Sequence, residues 1–132
     1  MKNKKMVFEI DDFVMVENKK IMLNLNVYRN LHYRENNNAK KIFKNNLILK
    51  YPELQTIKAK KVIISYMVET FDNRKFDTMN IVSVVDKYFL DSLTDSGVIP
   101  VDDYLHVEYE KIHAIRTEGE GNKKIYISCT FY

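Results

Sequence analysis

The chain holds a single cysteine, Cys129, no tryptophan, three glycines and two prolines in 132 residues. One thiol closes no intramolecular disulfide framework and builds no cysteine-only zinc site. With so little glycine and proline there is no flexible linker between two domains, and 132 residues is one domain's worth of chain. No apolar run approaches the ~18 residues that span a bilayer. The basic start, Met1 to Lys5, precedes an apolar stretch that Asp11 and Asp12 interrupt, too short for a signal peptide. These absences predict one domain over residues 1–132, reduced and cytoplasmic, with no membrane partner.

Hydrophobic residues make up 45% and charged residues 30%, a balance that supports a packed core under a solvated surface. The net charge of +3 conceals an asymmetry. Residues 1–75 carry 16 Lys and Arg against 8 Asp and Glu, a net +8, and residues 76–132 carry 5 against 10, a net −5. A basic surface for a polyanion beside an acidic cluster fits this split, with an evenly solvated surface as the alternative.

Apolar and β-branched stretches predict strands at 6–10, 13–16, 21–25, 61–71, 105–115 and 124–132. Residues 61–71 are apolar on both faces, as in a central, covered strand. Helical spacing predicts helices over 39–50, ended by Tyr51-Pro52, and 80–95, capped by Ser96-Gly97. Residues 27–38 read as irregular, and Glu118-Gly119-Glu120-Gly121-Asn122 as a hairpin turn joining the last two strands. The expected fold class is α/β (α+β), a small mixed β-sheet flanked by two main helices.

The acids suggest chemistry. Asp77 lies between a predicted strand and the second helix, and Asp102-Asp103 lies between that helix and the next strand. If those strands are neighbours, both loops are expected to converge at one end of the sheet. There the three carboxylates would hold Mg²⁺, which takes oxygen ligands and activates water for displacement at phosphate. The alternative is local: Asp77 caps the helix and Asp102-Asp103 makes a turn. Asn80, Ser83, Lys87 and Asp91 share one helical stripe, on which Lys87 either assists phosphate chemistry or simply pairs with Asp91. Asp86 lies roughly 120° off that stripe and is set aside. Upstream, residues 24–34 interleave amides, aromatics and guanidiniums ahead of Lys40, Lys41 and Lys44, residue types that grip phosphates and stack on bases, or that pack and solvate an ordinary surface. His32, His106 and His113 have no zinc spacing with Cys129, and no phosphate-binding glycine motif is present.

Three segments in order carry a resemblance. They are Asp77-Thr78-Met79-Asn80, Lys87-Tyr88-Phe89-Leu90-Asp91-Ser92-Leu93 and Gly97-Val98-Ile99-Pro100-Val101-Asp102-Asp103. Together they resemble the RusA-like Holliday-junction resolvases, whose pattern is Asp-x-Asp-Asn, a helix with Lys-x-x-x-Asp-Ala-Leu, then a Gly-Val-Ile-like turn into Asp-Asp. The Asn- and Tyr-rich stretch 23–34 is similar to that family's N-terminal segment, and the similarity covers residues 21–132. The resemblance implies a small homodimeric α/β nuclease, phage- or prophage-borne, that works in the bacterial host cytoplasm. It would cut four-way DNA junctions in recombination or repair, using Mg²⁺ or Mn²⁺.

On this resemblance Asp77 and Asp103 take the family's metal-binding positions with help from Asp102, Lys87 takes the catalytic lysine position, and Glu108 takes the acid of the following strand. Asn26, Arg29, His32, Arg34, Lys40, Lys41, Lys44, Arg74 and Lys75 would hold DNA. Two departures stand out. Met79 occupies the place of the second motif Asp, and about four extra residues, one helical turn, separate Asn80 from Asp91, which moves Lys87 about 6 Å along the axis. Either Asp102, Asp91 or Glu108 replaces the lost ligand, or the chain is a DNA-binding module of the same fold. A regulatory protein-interaction domain is the third alternative.

Overall fold

Val62, Ile64, Tyr66 and Val68 are completely buried at alternate positions of one strand, and the rest of the fold is arranged around them. The computed structural model describes residues 3–132; Met1 and Lys2, at the basic start, lie outside the described residues. In chain order the elements are β1 (Lys4–Asp11), β2 (Phe13–Val16), β3 (Lys19–Met22), α1 (Leu25–Asn30), α2 (Tyr33–Lys50), a 3₁₀ turn (Pro52–Thr56), β4 (Val62–Thr70), α3 (Thr78–Asp95), β5 (Val107–Arg116) and β6 (Lys124–Phe131). A four-stranded mixed sheet has the order β1-β6-β4-β5, and β2 and β3 form a separate ribbon. β4 runs parallel to β5 and antiparallel to β6, which is antiparallel to β1. This is the mixed α/β architecture that the patterning predicts.

Local chemistry accounts for most boundaries. The β2–β3 ribbon turns at Glu17 and Asn18, whose φ angles of 50° and 66° match the left-handed pair that tight hairpins require. α3 buries Ile81, Val84, Val85, Tyr88 and Phe89, the helical stripe read from the sequence. It ends at Gly97, which adopts φ 71°, while Val98 N–H closes back on the Leu93 carbonyl at 2.8 Å. α2 stops at Lys50 because Pro52 disfavours helical geometry at Tyr51.

The structure corrects four expectations. The helices join one core with the buried side of the sheet, so β4 is covered on that side only; Ile63, Ser65, Met67 and Glu69 are partly buried on the other. Residues 27–38 are not irregular, since α1 and the first turns of α2 occupy them. Residues 117–123 close no hairpin, because β4 lies between β5 and β6. Finally, Ile64 pairs with Tyr109 but Ser65 with Lys111, so Glu110 is an extra residue in a bulge. Past it the alternation of β5 reverses, and Ile112, opposite Tyr66, shares the face of Tyr109.

Phe89 is fully buried with its ring 5.3 Å from that of Phe8, joining α3 to β1. Phe89→Ala is expected to cost about 3–5 kcal/mol by leaving a cavity, measured as a fall in the urea midpoint at an unchanged slope.

Candidate functional site

The crossover from β4 through α3 to β5 decides where every candidate acid stands. β4 ends at Thr70, α3 runs back along the sheet, and β5 restarts with Val107 beside Val62. The start and end of α3 therefore lie at opposite ends of the sheet, and its 18 residues at ~1.5 Å each extend about 27 Å. Asp77 stands at the first end, and Asp102 and Asp103 follow the second. The two strands are neighbours as expected. Because they are parallel, however, their loops do not converge, and one chain cannot hold one cation with Asp77, Asp102 and Asp103.

Asp77 and Asp103 each have a local role. Asp77 Oδ1 accepts the Met79 N–H at 3.0 Å and caps α3. Asp103 Oδ1 accepts the Leu105 N–H at 3.0 Å and contacts the His106 ring, and the His106 hydrogen bond holds its carboxyl below the usual carboxylate range. These are the cap and the turn that the sequence left open as the alternative. Among the described residues no three His, Cys, Asp or Glu side chains cluster to hold a metal, so Mg²⁺, a hard cation that needs converging oxygens, does not fit the acids of one chain.

Lys87 is exposed in the middle of α3, about 15 Å along the axis from Asp77. It does not pair with Asp91. That carboxylate meets Lys40 of α2 at 2.8 Å, so Asp91 and Lys40 are both engaged. Glu108 pairs with Lys61 at 3.4 Å, at the Asp103 end of the sheet. The basic arm divides. Asn26, Arg29, His32, Arg34 and Lys41 are exposed on α1 and α2, and Lys44 is half-buried. His32 caps α2, its Nδ1 accepting the Arg34 N–H at 3.2 Å, and Tyr28 packs against Tyr88. Arg74 and Lys75 lie exposed in the loop before α3, at the Asp77 end. Cys129 is buried and its thiol is pushed far up by burial, so it supplies no nucleophile.

Asp86 was set aside on helical geometry, yet its carboxylate joins three elements. It faces the sheet, accepting the Tyr66 hydroxyl at 2.5 Å and the Tyr109 hydroxyl as well. Burial raises its carboxyl above the ordinary range, and the charge of Asp102 adds to the rise. Burial, reinforced by Asp86, pushes the Tyr109 hydroxyl up too. The available signal was an acid within the apolar run Ile81, Val82, Val84, Val85, Tyr88, Phe89, where a carboxylate needs partners.

No protein-family model matches the chain, and no curated protein matches its sequence. Among the described residues no helix is long and apolar enough to cross a membrane.

An acid whose folded value is raised stabilises the fold most in acid and loses that contribution as pH climbs through the raised value. Relative to Asp86→Asn, the wild type is therefore expected to lose stability as pH rises above about 4, the ordinary carboxylate value, and through the raised one. Urea midpoints of both proteins across that range test this, and a constant difference between them refutes it.

Proposed function

We propose that the chain is a Mg²⁺-dependent, structure-selective endodeoxyribonuclease acting on four-way DNA junctions as a two-fold dimer, with its acidic set divided between two chains. The motif resemblance names the activity. The observation that carries the shared arrangement is the position of Asp77 and Asp103 at opposite ends of one crossover beside an unpaired edge strand. β5 closes one side of the sheet and leaves a row of backbone N–H and C=O groups open. Antiparallel pairing of β5 with β5 of a second copy sets the start of one strand beside the end of the other. Since α3 runs against β5, Asp103 of one chain is carried toward Asp77 of the other.

The chemistry of that edge supports self-pairing. Glu108 and Glu110 stand toward the start of β5, Lys111 at its middle and Arg116 at its end, so antiparallel copies bring acidic and basic parts of the strand together. Tyr104, Leu105, Tyr109 and Ile112 are 86, 62, 45 and 36% exposed along the same side, apolar area that a partner would cover. Arg74 and Lys75 stand at the Asp77 end, where strand phosphates would lie. Lys40 and Lys87 drop out of the functional set, one paired and the other far from either end. Met79, in place of an acidic ligand, favours one other reading, a module that binds junctions without cutting them.

Asp77→Asn and Asp103→Asn proteins are each expected to lose nicking of a four-way junction in Mg²⁺. Co-refolded as an equal mixture, they should regain about a quarter of wild-type nicking, because about half the dimers are mixed and each mixed dimer has one complete site. A mixture that stays inactive refutes the divided site. Wild-type protein that shifts junctions in a gel but never cuts them leaves the binding module, and failure to bind removes both.

A further inference from the structure

The edge of β1 is closed at one residue. The Glu9 N–H donates to the Tyr51 hydroxyl at 2.8 Å, and the Lys50 ammonium donates to the Glu9 carbonyl at 3.0 Å. Both backbone groups of Glu9 therefore turn away from β6, toward the end of α2. In an antiparallel strand that direction returns at every second residue. The Asp11 N–H and C=O accordingly turn the same way, and neither has a backbone partner on that side among the described residues.

Asp11 lines a cleft of about 140 Å³ between β1, β2 and the end of α2, with Ile10, Phe13, Val14, Phe43 and Leu47 as its apolar walls. Those walls are held in place. The Lys20 ammonium lies 4.2 Å over the Phe13 ring, and Phe43 stands edge-on to Tyr88 at 5.8 Å. An apolar cavity of ~150 Å³ accepts a benzene ring, so this cleft has room for one such group. Its rim is charged, and evenly so. Lys50 reaches Glu9 Oε2 at 3.5 Å and Lys124 holds Asp11 at 2.5 Å, all four side chains partly exposed. A plain hydrocarbon would leave this rim unused. A lone carboxylate or amine would meet a like charge beside each unlike one. Two cations and two anions around an apolar hole suit a ring that carries one charge of each sign.

We propose that this cleft binds a free aromatic amino acid of the phenylalanine type, its ring between the apolar walls and its zwitterionic end at the rim. The ligand ammonium meets the Asp11 carbonyl and the carboxylates of Glu9 and Asp11. The ligand carboxylate meets the Asp11 N–H and the lysines. These are charge-assisted hydrogen bonds of both signs. A strand residue that turns its donor and acceptor to one side matches the main chain of a single amino acid, as it would match a residue of a neighbouring strand. Tyr51 and Lys50 cover Glu9, so a longer extended peptide finds no second residue of β1 to pair with there. The site goes beyond the nuclease reading and does not require it.

Titration of the full chain with phenylalanine, N-acetylphenylalanine, phenylalaninamide and tyrosine tests this. Phenylalanine is expected to bind at about millimolar concentration or below. N-acetylphenylalanine lacks the ammonium and phenylalaninamide the carboxylate, and each should bind about tenfold more weakly. Tyrosine should also bind more weakly, because its hydroxyl finds no partner among the apolar walls. Lys50→Gln should weaken phenylalanine and leave phenylalaninamide unchanged. Val14→Phe should fill the cleft and abolish binding, with a thermal midpoint near that of the wild type as the check on folding. In the wild type, NMR shifts on adding phenylalanine should gather at residues 9–14 and 47–51, a readout that needs no variant. Either derivative binding as tightly as phenylalanine assigns the cleft to a peptide end and overturns the free amino acid. Shifts that gather elsewhere, a folded Val14→Phe protein that still binds, or no binding at about 10 mM overturns the site. Junction cutting that persists beside any of these results leaves the nuclease reading intact.

Discussion

Two parallel strands cannot be joined by a tight turn; the chain has to travel back along the sheet and enter again at the same end. β4 and β5 meet this constraint through α3, and the rest of the molecule follows from it. The crossover places one acidic loop at each end of an 18-residue helix, a separation that no side-chain rotation closes. It also leaves β5 at the edge, because the other side of β4 is taken by β6. The same geometry that keeps these acids apart in one chain leaves open the strand edge on which the proposed dimer rests.

That crossover works only if α3 sits at one height on the sheet. Phe89 against Phe8 grips the sheet and Tyr88 against Phe43 grips α2, apolar contacts that are strong but tolerant of sliding. Asp86 supplies direction. Its hydrogen bonds from Tyr66 and Tyr109 hold at one register between α3, β4 and β5. The cost is a carboxylate removed from water, offset by two hydroxyl donors.

Much of this was legible from local pattern. The stripe from Ile81 to Leu93 marks α3 because burial on one side repeats every three or four residues, and Gly97 marks its end because a left-handed residue is needed there. Asp77 as a cap and Asp102-Asp103 as a turn were also readable, being interactions within a few residues. α2 begins earlier than its apolar spacing suggests: His32 caps it, and Asn36 in its first turn accepts from the Tyr88 hydroxyl, 52 residues away. The turn-like run around Gly119 and Gly121 hid that the strands on either side of it are not partners. The bulge at Glu110 likewise reversed a face assignment that strict alternation had made.

Sequence alone marked most of the strands, the body and end of α2, the whole of α3, and a core around a mixed sheet, because propensity, capping and periodicity act over a few residues; it missed α1 and the first turns of α2. Tertiary structure decided strand order, the distance between Asp77 and Asp103, the partners of Asp86, Asp91 and Lys40, and the cleft that Asp11 lines. Those depend on which distant segments pair, and in particular on whether two neighbouring strands run the same way or opposite ways, a choice that leaves no mark within either strand.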